Sequence, residues 1–598
     1  MITDRLRDFS TDKRVIVLSA MAVVVGVIGA LLAYALLWLI NAITNLVFYG
    51  RFSAGATSAA GTGLGLWLLV VPAAGGLIVG IIARYGSEKI RGHGIPEAME
   101  AILIGQSKVE PKVAVLKPVS TAISIGTGGP FGAEGPIIMT AGAFGSLFAQ
   151  FFHLSAAERK TLLVAGASAG MAATFGTPVA AALIAVEILL FEWKPRSFIP
   201  VAMASATAAA LRPALLGSAQ LFPSHVHTAQ HIPGLIAALG LGLLAGLGSS
   251  AVTALVYLFE DLFSRLKFHW MWWPAIGGFA IGVGGLIEPR ALGVGYDNIR
   301  LMLDGRFLTT ALLSLLIVKA LIWSFSLGSG TSGGVLAPLL TMGGAIGAIA
   351  AHLAGAHDPG FWGLLGMAAM LGGTMRAPLT AIVFTLELTH DINALLPLLI
   401  ACAAAYGVTV LTMRRSILTE KVARHGHHVV SEYSVDPLEL TRVAQIMSND
   451  CKALHASAPA HEAIEFFAAG NGDRAHGGYP VVDDAGKVVG VVTRGDLIAI
   501  EPSSSDETLS EVMSAPPIVA SLDEPAARVA ERMAVAGVGR VPVVNRDGRL
   551  AGIVSRRDLL GARARAADLE RTRERVFDPA RLSRHQRSPN RGPPEPRA

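Results

Sequence analysis

Charge is what this 598-residue chain has least of. Asp, Glu, Lys and Arg make up 16% of it and hydrophobic residues 52%, where a soluble domain carries about 25% charged residues. That shortage excludes an ordinary soluble protein. Residues 15–48 carry no charge at all, and a bilayer helix needs roughly 20 apolar residues. Cysteine is nearly absent too. Cys402 and Cys451 fall in different regions, which excludes a disulfide framework and a thiolate metal site. Neither a Walker loop, a metal-ligand cluster nor a nucleophile elbow is present, so nothing marks an enzyme. No cleavable signal peptide is expected, because the first apolar run is too long and lacks a small-residue cleavage site.

What the chain does have is apolar sequence from residue 15 to residue 414, repeatedly broken by Gly and Pro. The expected fold is therefore an all-α polytopic membrane domain with broken helices. Arg5, Arg7, Lys13 and Arg14 precede the first span, and the positive-inside rule puts that end in the cytosol. Near residue 425 the composition turns to that of soluble α/β sequence. The expected order is an N-terminal segment 1–14, a membrane domain 15–425, a linker 426–436, a soluble region 437–563 and a basic tail 564–598. A multi-pass protein of the cell (plasma or inner) membrane with both termini cytoplasmic follows. The net charge of +5 owes much to the Arg-rich residues 561–598. With its Pro-rich end, Ser588–Ala598, this tail reads as disordered, solvated or lipid-facing rather than as a nucleic-acid contact.

Both regions repeat internally. Gly126–Gly145 aligns with Gly328–Gly347 at a constant offset of 202, with Gly126/Gly328, Gly128/Gly330, Gly132/Gly334 and Pro136/Pro338 coinciding. Thr177-Pro178 with Glu187 matches Ala377-Pro378 with Glu387 at an offset of 200. Single glycine-rich segments serve close helix packing. Matched, Gly/Pro-interrupted segments in two halves instead point to a substrate site where the halves meet.

Four segments carry the chemistry: Gly92-His93-Gly94-Ile95-Pro96, Gly132-Ala-Glu134-Gly135-Pro136, Gly334-Val335-Leu336-Ala-Pro338 and Ser416-Ile-Leu418-Thr-Glu420. A glycine-led helix start leaves N–H groups unpaired, and the aligned peptide dipoles favour negative charge there. Such starts converging at mid-membrane hold an anion without a full positive charge, tightly enough for it to enter and loosely enough for it to leave. Glu134 brings its own carboxylate to such a start. An ionisable group at membrane depth is costly and marks a functional site. Ionised, it fills the site; protonated or displaced by the permeant anion, it opens it.

In order and spacing, the first three segments followed by a paired soluble repeat resemble the CLC family of chloride channels and chloride/proton antiporters. The resemblance covers about residues 15–425. It implies inverted halves of about 15–215 and 232–425, and a homodimer in the lipid bilayer with one chloride pore per subunit. By position Glu134 matches the family's external gating glutamate, and the Val335 and Leu336 amides match its anion-coordinating backbone. Gly293-Val-Gly-Tyr-Asp-Asn-Ile299 resembles another recurring family segment. Three departures stand out. His93 replaces a serine, and either its imidazole donates to the ion or it points aside and backbone amides suffice. Leu418 stands where a tyrosine is expected, which removes a hydroxyl donor. Ile188 occupies the antiporters' inward-facing glutamate position, with Glu187 before it and Glu192 beyond as candidates for a proton path, although the repeat mate Glu387 favours a structural role for Glu187. An apolar residue there is the pattern of the family's channels, leaving an antiporter with a non-standard proton route as the alternative. Fluoride or nitrate in place of chloride also stays open.

Tyr479–Leu497 and Val541–Leu559 repeat each other, as do Ile446–Ser448 and Val512–Ser514. Each copy reads as strand, turn, strand and a Thr- or Ser-started helix, preceded by helices over 459–469 and 525–536. This region resembles tandem CBS domains. The resemblance implies an adenine nucleotide such as ATP or AMP, with Thr493, Asp496, Ser555 and Asp558 at ribose and phosphate. Tyr479 would stack on the base and Val541 would pack against it. The alternative is that these Thr, Ser and Asp residues only cap helices in a structural module. No cofactor is required for transport. The competing function is a membrane-anchored adenine-nucleotide sensor without transport.

Overall fold

The computed structural model describes residues 13–218, 220–223, 231–427, 436–469, 478–498 and 507–571. Most of the expected N-terminal segment, linker and basic tail lies outside the described residues. The chain divides into two compact units, the first covering residues 7–432 and the second starting at residue 433.

The first unit is built from helices. Its first half runs α1 (Arg14–Tyr49), α2 (Trp67–Tyr85), α3 (Ile95–Leu103), α4 (Pro111–Gly126), α5 (Glu134–Gln150), α6 (Ala156–Phe175), α7 (Pro178–Ile184) and α8 (Pro195–Leu216). Its second half runs α9 (Ile232–Ser264), α10 (Trp273–Ile287), α11 (Tyr296–Leu303), α12 (Thr309–Gly328), α13 (Leu336–Leu353), α14 (Pro359–Met375), α15 (Pro378–Thr389) and α16 (Leu395–Thr412). A short α17 (Ile417–Arg424) follows. Among the described residues, eight helical segments are long and apolar enough to cross a membrane. The 36 residues of α1 make about 54 Å of helix at 1.5 Å per residue. That exceeds the roughly 30 Å hydrocarbon core, so α1 must tilt.

Local chemistry sets the helix ends. Ser155 and Glu158 form a capping box on α6, with the Glu158 amide donating to Ser155 Oγ at 3.2 Å and the Ser155 amide to Glu158 Oε2 at 2.7 Å. Proline opens α4, α7, α8, α14 and α15, where its missing N–H costs no hydrogen bond. Past α7 the chain widens into a π-helical stretch, Ala185–Leu190, which ends at Phe191 with φ of 55°.

The halves correspond element by element, α1–α8 to α9–α16, and equivalent helices pack on each other: α2 on α10 and α7 on α15. At the centre the Gly334 amide donates to the Gly132 carbonyl at 2.8 Å, and the Gly132 amide to the Gly334 carbonyl at 3.4 Å. Reciprocal bonds between repeat mates are what a twofold relation produces.

The second unit holds β1 (Leu454–His455), β2 (Gly478–Val482) and β3 (Val488–Thr493) in one sheet, and β4 (Ala520–Ser521), β5 (Arg540–Val544) and β6 (Leu550–Ser555) in the other. In each sheet the first strand runs parallel to the second and the second antiparallel to the third. Helices α18 (Pro437–Leu440), α19 (Ala460–Ala469), α20 (Arg494–Ile498), α21 (Leu509–Val512), α22 (Ala526–Val535) and α23 (Arg556–Arg571) complete it. The copies exchange their leading segments. Ser448 trades backbone bonds with Ile553 at 2.9 and 3.0 Å, and Ser514 with Val491 at 3.0 and 3.2 Å. Asp436, which caps α18, pairs with Arg563 on α23, and that guanidinium holds its carboxyl below the usual carboxylate range.

Candidate anion site

Three of the four singled-out segments meet. Gly92 and Gly94 take φ of 81° and 91°, a region open to glycine and little else, and this turns the chain abruptly into α3. A Cβ on Gly135 would lie 1.9 Å from the His93 carbonyl oxygen, and one on Gly94 2.5 Å from the Gly135 carbonyl oxygen. The starts of α3 and α5 therefore touch backbone to backbone. Ser332 bridges to Gly92 and Gly334 to Gly132, which brings in the start of α13. Glycine is required because only backbones this close can aim several N–H groups at one point. Ile95, Pro96, Pro136, Val335 and Leu336 are buried around it.

Glu134 is the first residue of α5 and is fully buried. Its Oε1 accepts from the Tyr296 hydroxyl at 3.3 Å. A Cβ on Gly132 or Gly334 would lie 1.6 or 2.9 Å from Oε2, so the carboxylate folds back over the bridge between the halves. The backbone amides of Glu134 and Ala337 face it. The side chain thus occupies the place where helix starts offer their N–H groups.

Two cavities flank this point. One, of about 450 Å³, is lined by Arg91, Gly92, His93, Glu97, Tyr257 and Lys421. His93 is 4% exposed, and its Nδ1 is buried without a hydrogen-bond partner. Its carbonyl faces Gly135. The other, of about 480 Å³, is lined by Ala133, Thr174, Arg212, Arg290, Tyr296 and Arg300 among others.

Leu418 is buried in the core on α17, which packs on α3 and α14. A phenol does reach that helix, from Tyr257 on α9, but it donates to the Ile417 carbonyl. Glu187 and Glu192, the candidates for a proton path, both have hydrogen-bond partners. Glu187 accepts from the Leu379 and Thr380 amides at 3.2 and 2.8 Å, and Glu387 accepts from the Val179 and Ala180 amides at 2.9 and 2.8 Å. Each repeat mate thus caps the other half's broken helix. Glu192 sits among Lys160, Lys194 and Arg196 and accepts from Ser197 at 2.7 Å. Both carboxylates are committed to structural partners.

Three participants escaped the sequence reading. Lys117 on α4 and Lys319 on α12 are fully buried. Lys117 donates to the Ile90 and Gly92 carbonyls, both at 2.8 Å, and Lys319 to the Ala291 and Gly293 carbonyls at 3.2 and 3.0 Å. Each holds the loop that leads into a short helix, α3 or α11. The signal was available, since the two lysines stand 202 residues apart like the glycine motifs. Tyr296 lay inside the segment Gly293–Ile299, but nothing local tied it to Glu134.

In the second unit the two residues expected against the base are buried. Tyr479 is 6% exposed and packs edge-on against Phe467 at 4.9 Å, and Val541 is fully buried. They sit on β2 and β5, where each belongs to a hydrophobic core. Asp496 accepts from the Thr493 amide and hydroxyl, both at 2.7 Å, and Asp558 likewise from Ser555 at 2.8 and 2.7 Å. These residues cap helices. A cavity of about 510 Å³ does open between the copies, lined by Val491, Thr493, Pro516, Gly539 and Arg540 among others. Arg540 Nη1 is buried there without a hydrogen-bond partner.

Comparison with known proteins agrees with this architecture. The family described as voltage gated chloride channel matches residues 75–410, and CBS domains match 443–502 and 509–565. The voltage-gated ClC-type chloride channel ClcB of Citrobacter koseri is 31% identical over 412 residues, 67% of this chain and 98% of that protein. Its Salmonella typhimurium counterpart is 29% identical over 415 residues, 68% of this chain and 98% of that protein. Among solved structures, a slow cyanobacterial Cl⁻/H⁺ antiporter superposes with a TM-score of 0.62 at 22% identity, covering 70% of this chain and 99% of its own. A eukaryotic CLC transporter gives 0.57 at 21% identity, covering 90% and 97%. These two likenesses concern the fold. With more than half its length matched by the family model, and its helix starts converging on a buried glutamate, this membrane-embedded chain belongs to the voltage-gated chloride channel family and carries two CBS domains.

Proposed function

We propose that this protein moves chloride through the membrane by way of the converging starts of α3, α5 and α13, with the Glu134 carboxylate as gate. The observation that carries this reading is the buried Glu134 side chain lying where Gly132 and Gly334 bridge the halves. An anion of similar charge competes for that place. Backbone amides of Gly135, Val335, Leu336 and their neighbours supply attraction through dipoles, which fall off within one helical turn and so permit release. The Lys421-lined cavity opens to the cytosol and the Arg300-lined one to the outside, with α1 entering from the cytosolic side. The transporting form is a homodimer in the cell membrane with both termini cytoplasmic, and it catalyses no covalent chemistry. Chloride is the permeant ion, because relatives matched along about two thirds of this chain are chloride channels by name.

Transport runs without stoichiometric proton movement in this reading. Glu187 and Glu192 are occupied as described, and the neighbouring Ile188 is apolar and buried. The CBS pair regulates flux by binding an adenine nucleotide in the cavity between its copies, where Arg540 meets phosphate and Thr493 lies within reach of ribose. Purified protein in liposomes under a chloride gradient tests the reading, with chloride and proton movement recorded together. Expected are chloride flux without coupled protons, and in Glu134→Ala a faster, ungated flux. Coupled proton movement would make it an antiporter by another proton route. Absence of anion flux would leave a membrane-anchored nucleotide sensor.

A further inference from the structure

Tyr296 opens α11 directly after Gly295, whose φ of 86° turns the chain. Its ring packs edge-on against Phe175 at 6.3 Å and Phe222 at 5.7 Å, and Phe175 in turn packs against Phe384 at 5.1 Å. Two aromatic neighbours, one of them braced by Phe384, leave the ring little freedom to turn. Its hydroxyl ends 3.3 Å from Glu134 Oε1, while Glu134 Oε2 is buried without a hydrogen-bond partner. Tyr296 also lines the 480 Å³ cavity, as do Arg212, Arg290 and Arg300, whereas Glu134 does not. The phenol therefore touches both the outer cavity and the carboxylate. The repeat explains how it arrives there. Lys117 holds Gly92 ahead of α3, and Lys319 holds Gly293 ahead of α11. Tyr296 thus takes the position at the start of α11 that Ile95 takes at the start of α3.

We propose that the Tyr296 hydroxyl is a positioning group that holds the Glu134 carboxylate in the anion site and so sets how much external chloride is needed to displace it. The inference rests on the gate reading of Glu134. The hydroxyl donates to the carboxylate only while it lies in the site; once chloride displaces it, that bond is lost. Its strength is therefore added to the cost of opening. The chloride ion gains nothing equivalent, since a tyrosine ring held by Phe175 and Phe222 cannot follow it inward.

The test is the external chloride concentration for half-maximal flux in liposomes, measured for wild type, Tyr296→Phe, Glu134→Ala and the double variant. Phenylalanine keeps the ring and its edge-on contacts, so folding is preserved. Tyr296→Phe is expected to lower the half-saturating chloride about three- to tenfold, the range of one modest hydrogen bond, with maximal flux little changed. In the Glu134→Ala background the same substitution is expected to change nothing. An unchanged half-saturation in Tyr296→Phe, or the same shift in both backgrounds, overturns the positioning role and leaves the gate intact. Should Glu134→Ala itself behave like wild type, the gate reading fails and the inference falls with it.

Discussion

Lys117 and Lys319 show how much one residue can do without touching an ion. Each ammonium is fully buried and spends two of its hydrogens on carbonyls of the loop ahead of a short helix. Burying an ammonium costs several kcal/mol, and leaving a buried carbonyl unpaired costs about 1–3 kcal/mol. The two roughly offset, so Lys117→Met should shift thermal unfolding in detergent only slightly. Its effect should fall on the Gly92 loop instead. We expect flux to drop roughly tenfold, equivalent to about 1.4 kcal/mol at the site, with Lys117→Arg recovering part of it. A large fall in melting temperature without loss of flux would overturn this account. Glu134 was legible as a site because of its glycine and proline neighbours. Lys117 was missed because a lysine in an apolar helix has no local mark, and Tyr296 because its partner is 162 residues away.

Elements carry the next level of information. Glu187 and Glu387 look alike in sequence, and each closes the amide end of the other's partner helix, α15 or α7. A lost cap costs about 0.5–2 kcal/mol. Glu187→Gln and Glu387→Gln should therefore destabilise to a similar degree in detergent unfolding, and neither should alter proton movement in the liposome assay. A change in proton flux confined to Glu187→Gln would restore it as a proton carrier. In this unit the glycine-led starts of α3, α5 and α13 were readable from their Gly and Pro residues. The nucleotide residues on strands were not. Tyr479 and Val541 read as base contacts by resemblance, yet both belong to hydrophobic cores, because what covers each face of a strand is not written in the strand's own residues.

For the whole molecule, repetition organises both units. The CBS copies trade their leading segments, Ile446–Ser448 and Val512–Ser514, across to each other's sheets, and the cavity between them exists only in that exchanged arrangement. ATP or AMP added to the full-length protein should raise its melting temperature, as any ligand of the native state does. Arg540→Ala should remove that gain, while Asp558→Asn, which weakens only a helix cap, should retain it. Equal nucleotide stabilisation in wild type and Arg540→Ala would exclude Arg540 as the phosphate contact. The sequence by itself determined the membrane class, the twofold repetition, the glycine-led helix starts and the Glu134 carboxylate among their glycines. Those features depend on composition and on chemistry within a turn or two of chain. Only the tertiary structure decided which helix starts meet, that Glu187 is a cap, and that a phenol from the second half reaches Glu134. Those outcomes depend on how two halves some 200 residues apart pack together, and no local pattern of residues encodes which groups will face each other across that contact.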